Sequence, residues 1–183
     1  MSTTPSKFDG IKVSGQISVF ERRGDAPPKL VLTTPNMVVD LGLSVLCELM
    51  IQASSGMQSA AYNKIATIYV GGRATGTPDT AGSTPPLASQ TGLQGTLIAR
   101  LPITEVTNVA TTTAEFRATL DTNQGNSFDV QELALYTRGS SDVPTDPNNA
   151  SQRMFARQVI GTLSKTPDVA FEFVWRIRFA AAV

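Results

Sequence analysis

The strongest constraint on the fold is a period-two pattern near the C-terminus, where large apolar side chains occupy every second position. The apolar positions are Phe171, Phe173, Trp175, Ile177 and Phe179. The positions between them are Glu172, Val174, Arg176 and Arg178. Successive side chains of a strand point to opposite sides, so this alternation is typical of a strand with one buried face. We expect a central strand whose sheet is covered on one side and charged on the other.

The same period recurs along the chain and predicts a mainly β fold. It is clearest over residues 11–19 and 113–121. Further strand candidates are 29–33, 65–70, 96–109, 128–138 and 154–163. The turn-forming segments 123–127 and 162–168 are short enough for hairpins. The sequence therefore predicts a mainly β (α+β) class, with an antiparallel β-sandwich-like domain and one principal α-helix.

That helix is predicted at about 40–53. Its apolar residues fall at positions 41, 45, 46, 49, 50 and 53, which form one helical face. Asp40 can cap the first turn, whereas Gly42 lowers the helix propensity near the start. A second short helix is expected at 57–63. We interpret Cys47 as a small core residue, because free cysteines are usually buried.

The length of 183 residues fits a single domain with an arm. Residues 1–9 contain little apolar surface and are predicted to form a flexible N-terminal arm, which leaves 10–183 as one β-rich domain. Residues 71–90 are rich in Gly, Thr and Pro and predict a long surface loop. Residues 139–151 predict a second exposed loop.

Composition excludes several classes of chemistry. The chain has no histidine, so Ser-His-Asp triads and His-ligated metals are excluded. A single cysteine excludes an intrachain disulfide, and a net charge of zero argues against nucleic-acid binding. No signal peptide is visible, and the most apolar window, 38–51, is too short to span a bilayer. We expect a soluble protein made in a cytosol, with no membrane or nucleic-acid partner.

Four patterns could carry chemistry, and each also has a structural interpretation. Residues 71–76 resemble a phosphate-binding loop but lack its helix, which favours a glycine-rich turn. Two further sets are a possible calcium loop, with Asp142, Asp146, Asn148 and Asn149, and a possible basic stripe, with Arg153, Arg157, Arg176 and Arg178. The stripe would lie on the two final strands, and if those strands pair, Glu172 is close enough to neutralise part of it. A salt-bridge surface between subunits is the more modest interpretation.

A pair of carboxylates is the remaining route to acid–base catalysis. The candidates are Glu115, Asp121, Asp129, Glu132 and Glu172. Glu115, Asp121 and Glu172 lie on polar strand faces and are expected to be solvated. Glu132 lies within an apolar stretch, and a buried glutamate is usually bound to an arginine or to backbone amides. We assign no catalytic, cofactor-binding or metal-binding residue and predict that the protein is not an enzyme.

The order of short motifs is more informative than any one of them. The segment 36–43 leads into the helix, and Ile-Ala-Thr-Ile-Tyr-Val-Gly-Gly follows at 65–72. Val-Gln-Glu-Leu-Ala-Leu-Tyr then occurs at 130–136 and Met-Phe-Ala-Arg at 154–157. Over about residues 30–179 this order resembles the tail-collar fibre and fibre-attachment module of tailed bacteriophages. The chain departs from that pattern at Leu133 or Ala134, where the module has glycine, and after Gly72, where Arg-Ala follows.

The resemblance implies a structural protein of the virion, assembled in the host cytoplasm, with no catalytic residues. Its expected partners are copies of itself and other virion proteins of the tail, fibre or capsid. A capsid decoration (cement) protein is the alternative, and a carbohydrate-binding module is a further one. A carbohydrate-binding module would need exposed aromatic side chains, for which Phe8, Tyr62 and Tyr69 are the candidates.

Overall fold

The structure, a computed structural model, describes residues 11–55, 64–78, 81–138 and 152–181. Its strands are β1 (Ile11–Arg23), β2 (Lys29–Val38), β3 (Ile65–Ala74), β4 (Thr96–Pro102), β5 (Glu105–Ala110), β6 (Thr113–Leu120), β7 (Phe128–Thr137), β8 (Met154–Lys165) and β9 (Val169–Ala181). One α-helix, α1 (Asp40–Ser55), lies among the described residues, with a short 3-10 turn at Ala81–Ser83.

The strands form one curled antiparallel sheet in the order β4-β3-β7-β8-β2-β1-β9-β6-β5. Strand β2 joins the two halves of this sheet, because its residues up to Asn36 pair with β1 and its last two, Met37 and Val38, pair with β8. The halves face each other, and residues from both form one hydrophobic core. The predicted mainly β, sandwich-like class with a principal helix is confirmed.

Strand β9 lies inside this core, as its alternation predicts. Trp175 and Phe173 are fully buried, with Ile177 and Phe171 nearly so. β9 pairs with β1 on one side and β6 on the other, so it is also internal to its sheet. Strand β1 pairs with β2 and β9 of the same chain, so it is an internal strand of this sheet.

The two segments predicted as hairpins do not join neighbouring strands. Each is a corner, meaning a connection between strands in opposite halves of the sheet. The segment 123–127 joins β6, which pairs with β5 and β9, to β7, which pairs with β3 and β8. The segment 162–168 likewise leads from β8 to β9, which lie in opposite halves. The predicted strand 96–109 is divided at Ile103 and Thr104, whose amides donate to Ala66 and Arg117. Each of these segments carries the chain across the core.

Helix α1 packs on β8 through Gly42, where an added Cβ would lie 2.1 Å from the carbonyl oxygen of Phe155. The absence of a Cβ at Gly42 is what allows this close contact, and the low helix propensity of glycine is the cost. The prediction for Cys47 is wrong, because this residue is exposed: the face that packs inward is that of Val45 and Leu46. No described helix is long and apolar enough to cross a membrane. The predicted arm (1–9) and second helix (57–63) lie outside the described residues.

Candidate functional site

The centre of the candidate site is a buried ion pair, Glu132 on β7 and Arg157 on β8, which we term the clamp. Both side chains are completely buried, and Arg157 Nε donates to Glu132 Oε2 at 2.6 Å. The prediction that Glu132 is bound to an arginine or to backbone amides is confirmed in both respects. A buried pair of this kind needs further hydrogen bonds to offset desolvation.

Those hydrogen bonds come from residues 82–95, which we term the strap. Arg157 Nη1 donates to the carbonyl of Thr84 at 2.9 Å and to Gln90 Oε1 at 3.0 Å. Glu132 Oε1 accepts from the amides of Gln94, at 2.9 Å, and Gly95, at 2.5 Å. The clamp therefore fixes both ends of the strap to the outer side of the β7–β8 pair. The strap also contacts the helix, since the amide of Asp40 donates to the carbonyl of Ala88.

Two glycines in β3 make room for this arrangement. An added Cβ on Gly71 would lie 2.7 Å from Glu132 Oε1, and one on Gly72 would lie 2.0 Å from the carbonyl oxygen of Asp129. Strand β3 runs on through Ala74, so the irregular segment begins later than the predicted loop at 71–90. Gly71 and Gly72 pair with β4 and β7, so the glycine-rich segment forms part of a strand rather than a phosphate-binding loop.

Beside the clamp, the strap covers a stacked pair of tyrosines. The rings of Tyr69 and Tyr136 lie 4.1 Å apart at 20°, and the guanidinium of Arg100 lies 5.1 Å from the centre of the Tyr69 ring. Burial, with Tyr69 and Glu132 adding to it, raises the pKa of Tyr136 to about 12. The prediction of Tyr69 as an exposed aromatic is wrong, because it is almost completely buried. Phe8 and Tyr62 lie outside the described residues.

Glu115 also differs from the prediction of a solvated charge. It lies directly opposite Arg176, and both Arg176 and Arg117 cover it, so that it is almost completely buried. Burial alone would raise its pKa, but hydrogen bonds from Arg176 and Arg117 lower the pKa below its ordinary value. Glu172 accepts from the same Arg117 at 2.9 Å. The polar face of this half of the sheet is thus a network of ion pairs.

Asp129, the fourth carboxylate, is also bound internally. It accepts from Ser164 Oγ at 2.7 Å and from Thr75 Oγ1 at 3.2 Å, and Arg73 lies at 3.4 Å. Asp121, the fifth, is exposed. No group of three or more His, Cys, Asp or Glu in the described part of the chain could hold a metal ion. The calcium-loop candidates at 142–149 lie outside that part.

The predicted basic stripe does not form, because β8 and β9 are not neighbours. Arg157 is buried in the clamp, whereas Arg176 is half-exposed on the other half of the sheet. The alternation pattern assigns each arginine to a face of its own strand. It contains no information on which strands become neighbours.

Sequence reasoning did not identify the exposed apolar surfaces. Strand β5 lies at the edge of the sheet and all six of its residues are exposed, with Val106 at 61 %. Val106 also borders a cavity of about 330 Å³ at one end of the core, which Phe116, Phe155 and Phe179 line. On the strap, Leu87 is 57 % exposed. Exposed apolar groups on an edge strand are unusual in a monomer and favour an interaction surface.

No protein-family model, curated protein or solved structure matches this chain.

Proposed function

We propose that this protein is a non-enzymatic structural component of a tailed-phage virion, an oligomeric tail, collar or fibre-attachment subunit that joins the particle to its fibres. Its partners are further copies of itself and neighbouring virion proteins. The order of the motifs along the chain and their positions in the fold both support this function.

The main observation in favour of this function is that the sequence motifs at 65–72, 130–136 and 154–157 meet at the clamp. The 65–72 and 130–136 segments are in the adjacent strands β3 and β7, and 154–157 begins β8 beside them. Glu132 and Arg157 come from two of these motifs, and Gly71 from the third leaves space for Glu132. Gly42, from the segment that leads into the helix, contacts the same stretch of β8. Residues that act together to hold a strap in place suit a structural module better than a catalytic centre.

The charges support the same conclusion. Glu115, Asp129 and Glu132 are bound to arginines or hydroxyl groups, so a catalytic role would require their release from those contacts. The fixed strap and the exposed edge strand β5 instead offer defined surfaces for neighbouring subunits. Apolar side chains such as Val106 and Leu87 are suited to such contacts.

The test is the location and copy number of the protein in purified phage particles. Quantitative mass spectrometry of particles separated from free protein should find a few to a few dozen copies each, and labelled antibodies should mark the tail. Hundreds of copies on the head would instead identify the alternative, a capsid decoration protein. Absence from purified particles would overturn the virion proposal altogether.

A further inference from the structure

The cavity at one end of the core, which we term the end cavity, has a volume of about 330 Å³. It lies between the two halves of the sheet, because its wall contains residues of β3 and β8 from one half and of β5, β6 and β9 from the other, together with α1. Protein interiors are closely packed and contain few voids larger than a water molecule. A space of this size falls instead in the range of ligand sites, which is about 300–1,000 Å³.

The end cavity has a buried interior and a rim that solvent reaches. Val45, Phe155 and Ile177 line the interior and are almost completely buried. Phe179 is partly exposed and Val106 is 61 % exposed, so the cavity opens to solvent beside β5. All of the described residues that line it are apolar, with the exception of Lys64. Cavities with apolar walls take up apolar molecules in preference to water.

Lys64 gives the end cavity one positive charge. The residue directly precedes β3 and is exposed, so its ammonium group belongs to the rim rather than to the interior. Its backbone is held in place, since its carbonyl accepts from the amide of Arg138 at 2.7 Å. A molecule with an apolar chain and an acidic head would match both parts of the site, because the chain is buried while the charged head stays in water beside Lys64.

The size and polarity of the end cavity narrow the class of ligand further. An apolar cavity of about 150 Å³ holds benzene, so a cavity about twice as large suits an alkyl chain of roughly eight to twelve carbons. The rings of Phe116, Phe155 and Phe179 offer apolar contacts to such a chain. A sugar or a nucleotide would lose hydrogen bonds to water and gain none from this apolar wall.

We propose that the end cavity binds a medium-chain fatty acid, with its alkyl chain between the two halves of the sheet and its carboxylate beside Lys64. Most of the affinity comes from burial of the chain, because an ion pair at an exposed rim contributes little. The inference is independent of the virion assignment, since the described site is built within a single chain.

A series of fatty acids tests the proposal on the unaltered protein. Isothermal titration calorimetry with hexanoate, octanoate, decanoate and tetradecanoate should show one molecule bound per chain. The affinity should rise about fourfold with each added CH₂ and stop rising beyond about twelve carbons, when the cavity is full. Absence of saturable binding would overturn the proposal. An affinity that continues to rise through tetradecanoate would overturn it too, because an open surface rather than a cavity behaves in that way.

A matched pair of variants locates the binding site. Ala114→Leu places a larger side chain in the wall of the end cavity, whereas Ala110→Leu makes the same change at an exposed position on β5. Ala114→Leu should lower the affinity for decanoate at least tenfold, and Ala110→Leu should leave it unchanged. Circular dichroism checks that both variants are folded. Equal affinities in the two variants would place the ligand elsewhere and would overturn the proposal.

A second pair of variants tests the charged rim. Lys64→Met should weaken octanoate about two- to fivefold without changing the affinity for octanol, and Lys29→Met, at an exposed lysine of β2, should change neither. Equal effects of Lys64→Met on the acid and the alcohol would contradict the pairing with Lys64.

Sedimentation velocity with and without decanoate tests the other occupant, a second copy of the chain. The sedimentation coefficient should be the same in both conditions. A protein that is dimeric without decanoate and monomeric with it would show that a second copy fills the cavity, and would overturn the proposal.

Discussion

At the scale of single residues, the alternation predicts which apolar side chains of β9 are buried, but it predicts neither the burial of charged side chains nor their hydrogen bonds. Trp175 is fully buried as the alternation predicts, and its indole Nε1 has no hydrogen-bond partner in the described part of the chain. Glu115 is on the polar face of β6 and is nevertheless buried, because arginine side chains cover it. A residue's face is a local property, whereas its partners are determined by neighbouring strands.

For substitutions of Trp175, we predict a loss of stability that increases with the side-chain volume removed. Trp175→Ala should lower the free energy of unfolding by about 3–5 kcal/mol, because it leaves a cavity between the two halves of the sheet. Trp175→Phe should cost only a fraction of this, since it removes an N–H that has no partner. Chemical denaturation followed by circular dichroism measures both. Equal losses for the two variants would contradict a cost that depends on the volume removed.

Glu115 should make the stability of the folded protein depend on pH. Its pKa is lower in the folded protein than in the unfolded chain, so its contribution is complete above the unfolded pKa and is lost as the pH falls through the folded pKa. Thermal melts between pH 7 and pH 3 should therefore fall less steeply for Glu115→Gln than for the parent. Arg176→Met should reduce the slope as well, because it removes the leading hydrogen-bond donor. An unchanged slope in both variants would contradict this assignment.

At the scale of elements, close contacts determine where the helix and the strap lie. Helix α1 approaches β8 at Gly42, and the strap follows the outer side of β7 and β8 over the clamp. Neither position follows from the pattern of the element itself. Each depends on a contact with a residue more than forty positions away along the chain.

Gly42→Ala should destabilise the protein although it raises helix propensity by about 1 kcal/mol. The new Cβ would meet the carbonyl oxygen of Phe155 at 2.1 Å, so the helix would have to move away from β8. Gly161→Ala is the comparison, because it introduces backbone strain at a φ of 76° with no atom within 4 Å. Thermal denaturation should show the greater loss for Gly42→Ala. A gain in stability would mean that the helix does not pack on β8.

Arg157→Met should release the strap. It leaves Glu132 buried without its cation and removes the donors to Thr84 and Gln90, at a cost of about 3–5 kcal/mol. Limited proteolysis should then cut within residues 82–95, whereas the same segment should resist cleavage in the parent. Arg23→Met removes an arginine from an exposed pair with Asp168 and should leave both stability and cleavage unchanged. Equal cleavage in the parent and in Arg157→Met would show that the clamp does not hold the strap.

At the scale of the whole molecule, the two halves of the sheet share one core and one strand. Strand β2 pairs with both halves, and the corners at 123–127 and 162–168 lead from one half to the other. Neither half could expose its inner face without exposing that of the other. The molecule is therefore expected to unfold as one unit.

Unfolding should accordingly be a single cooperative transition. Trp175 is the only tryptophan and lies in the core between the halves, so its fluorescence reports the packing of that core, whereas far-ultraviolet circular dichroism reports the backbone of the whole sheet. The two signals should give the same denaturant midpoint and the same slope. Midpoints that differ beyond error would indicate that the halves unfold separately, and would contradict the shared core.

The sequence by itself determined the class of the fold, the location of most strands, the helix from Asp40 and the burial of the last strand. It also determined that Glu132 requires a cation or amides. These properties depend on the periodicity and polarity of residues that are close together along the chain. That local pattern is the same however the strands are arranged in the sheet.

Only the tertiary structure decided which strands pair. It made corners of 123–127 and 162–168, because a short polar turn has the same composition whether the next strand pairs with the last one or crosses the core. It selected Arg157 for Glu132, covered Glu115 and separated Arg157 from Arg176. The physical reason is that strand pairing depends on the burial of apolar faces from segments that are far apart along the chain. A local sequence pattern does not indicate which of these segments become neighbours in the fold.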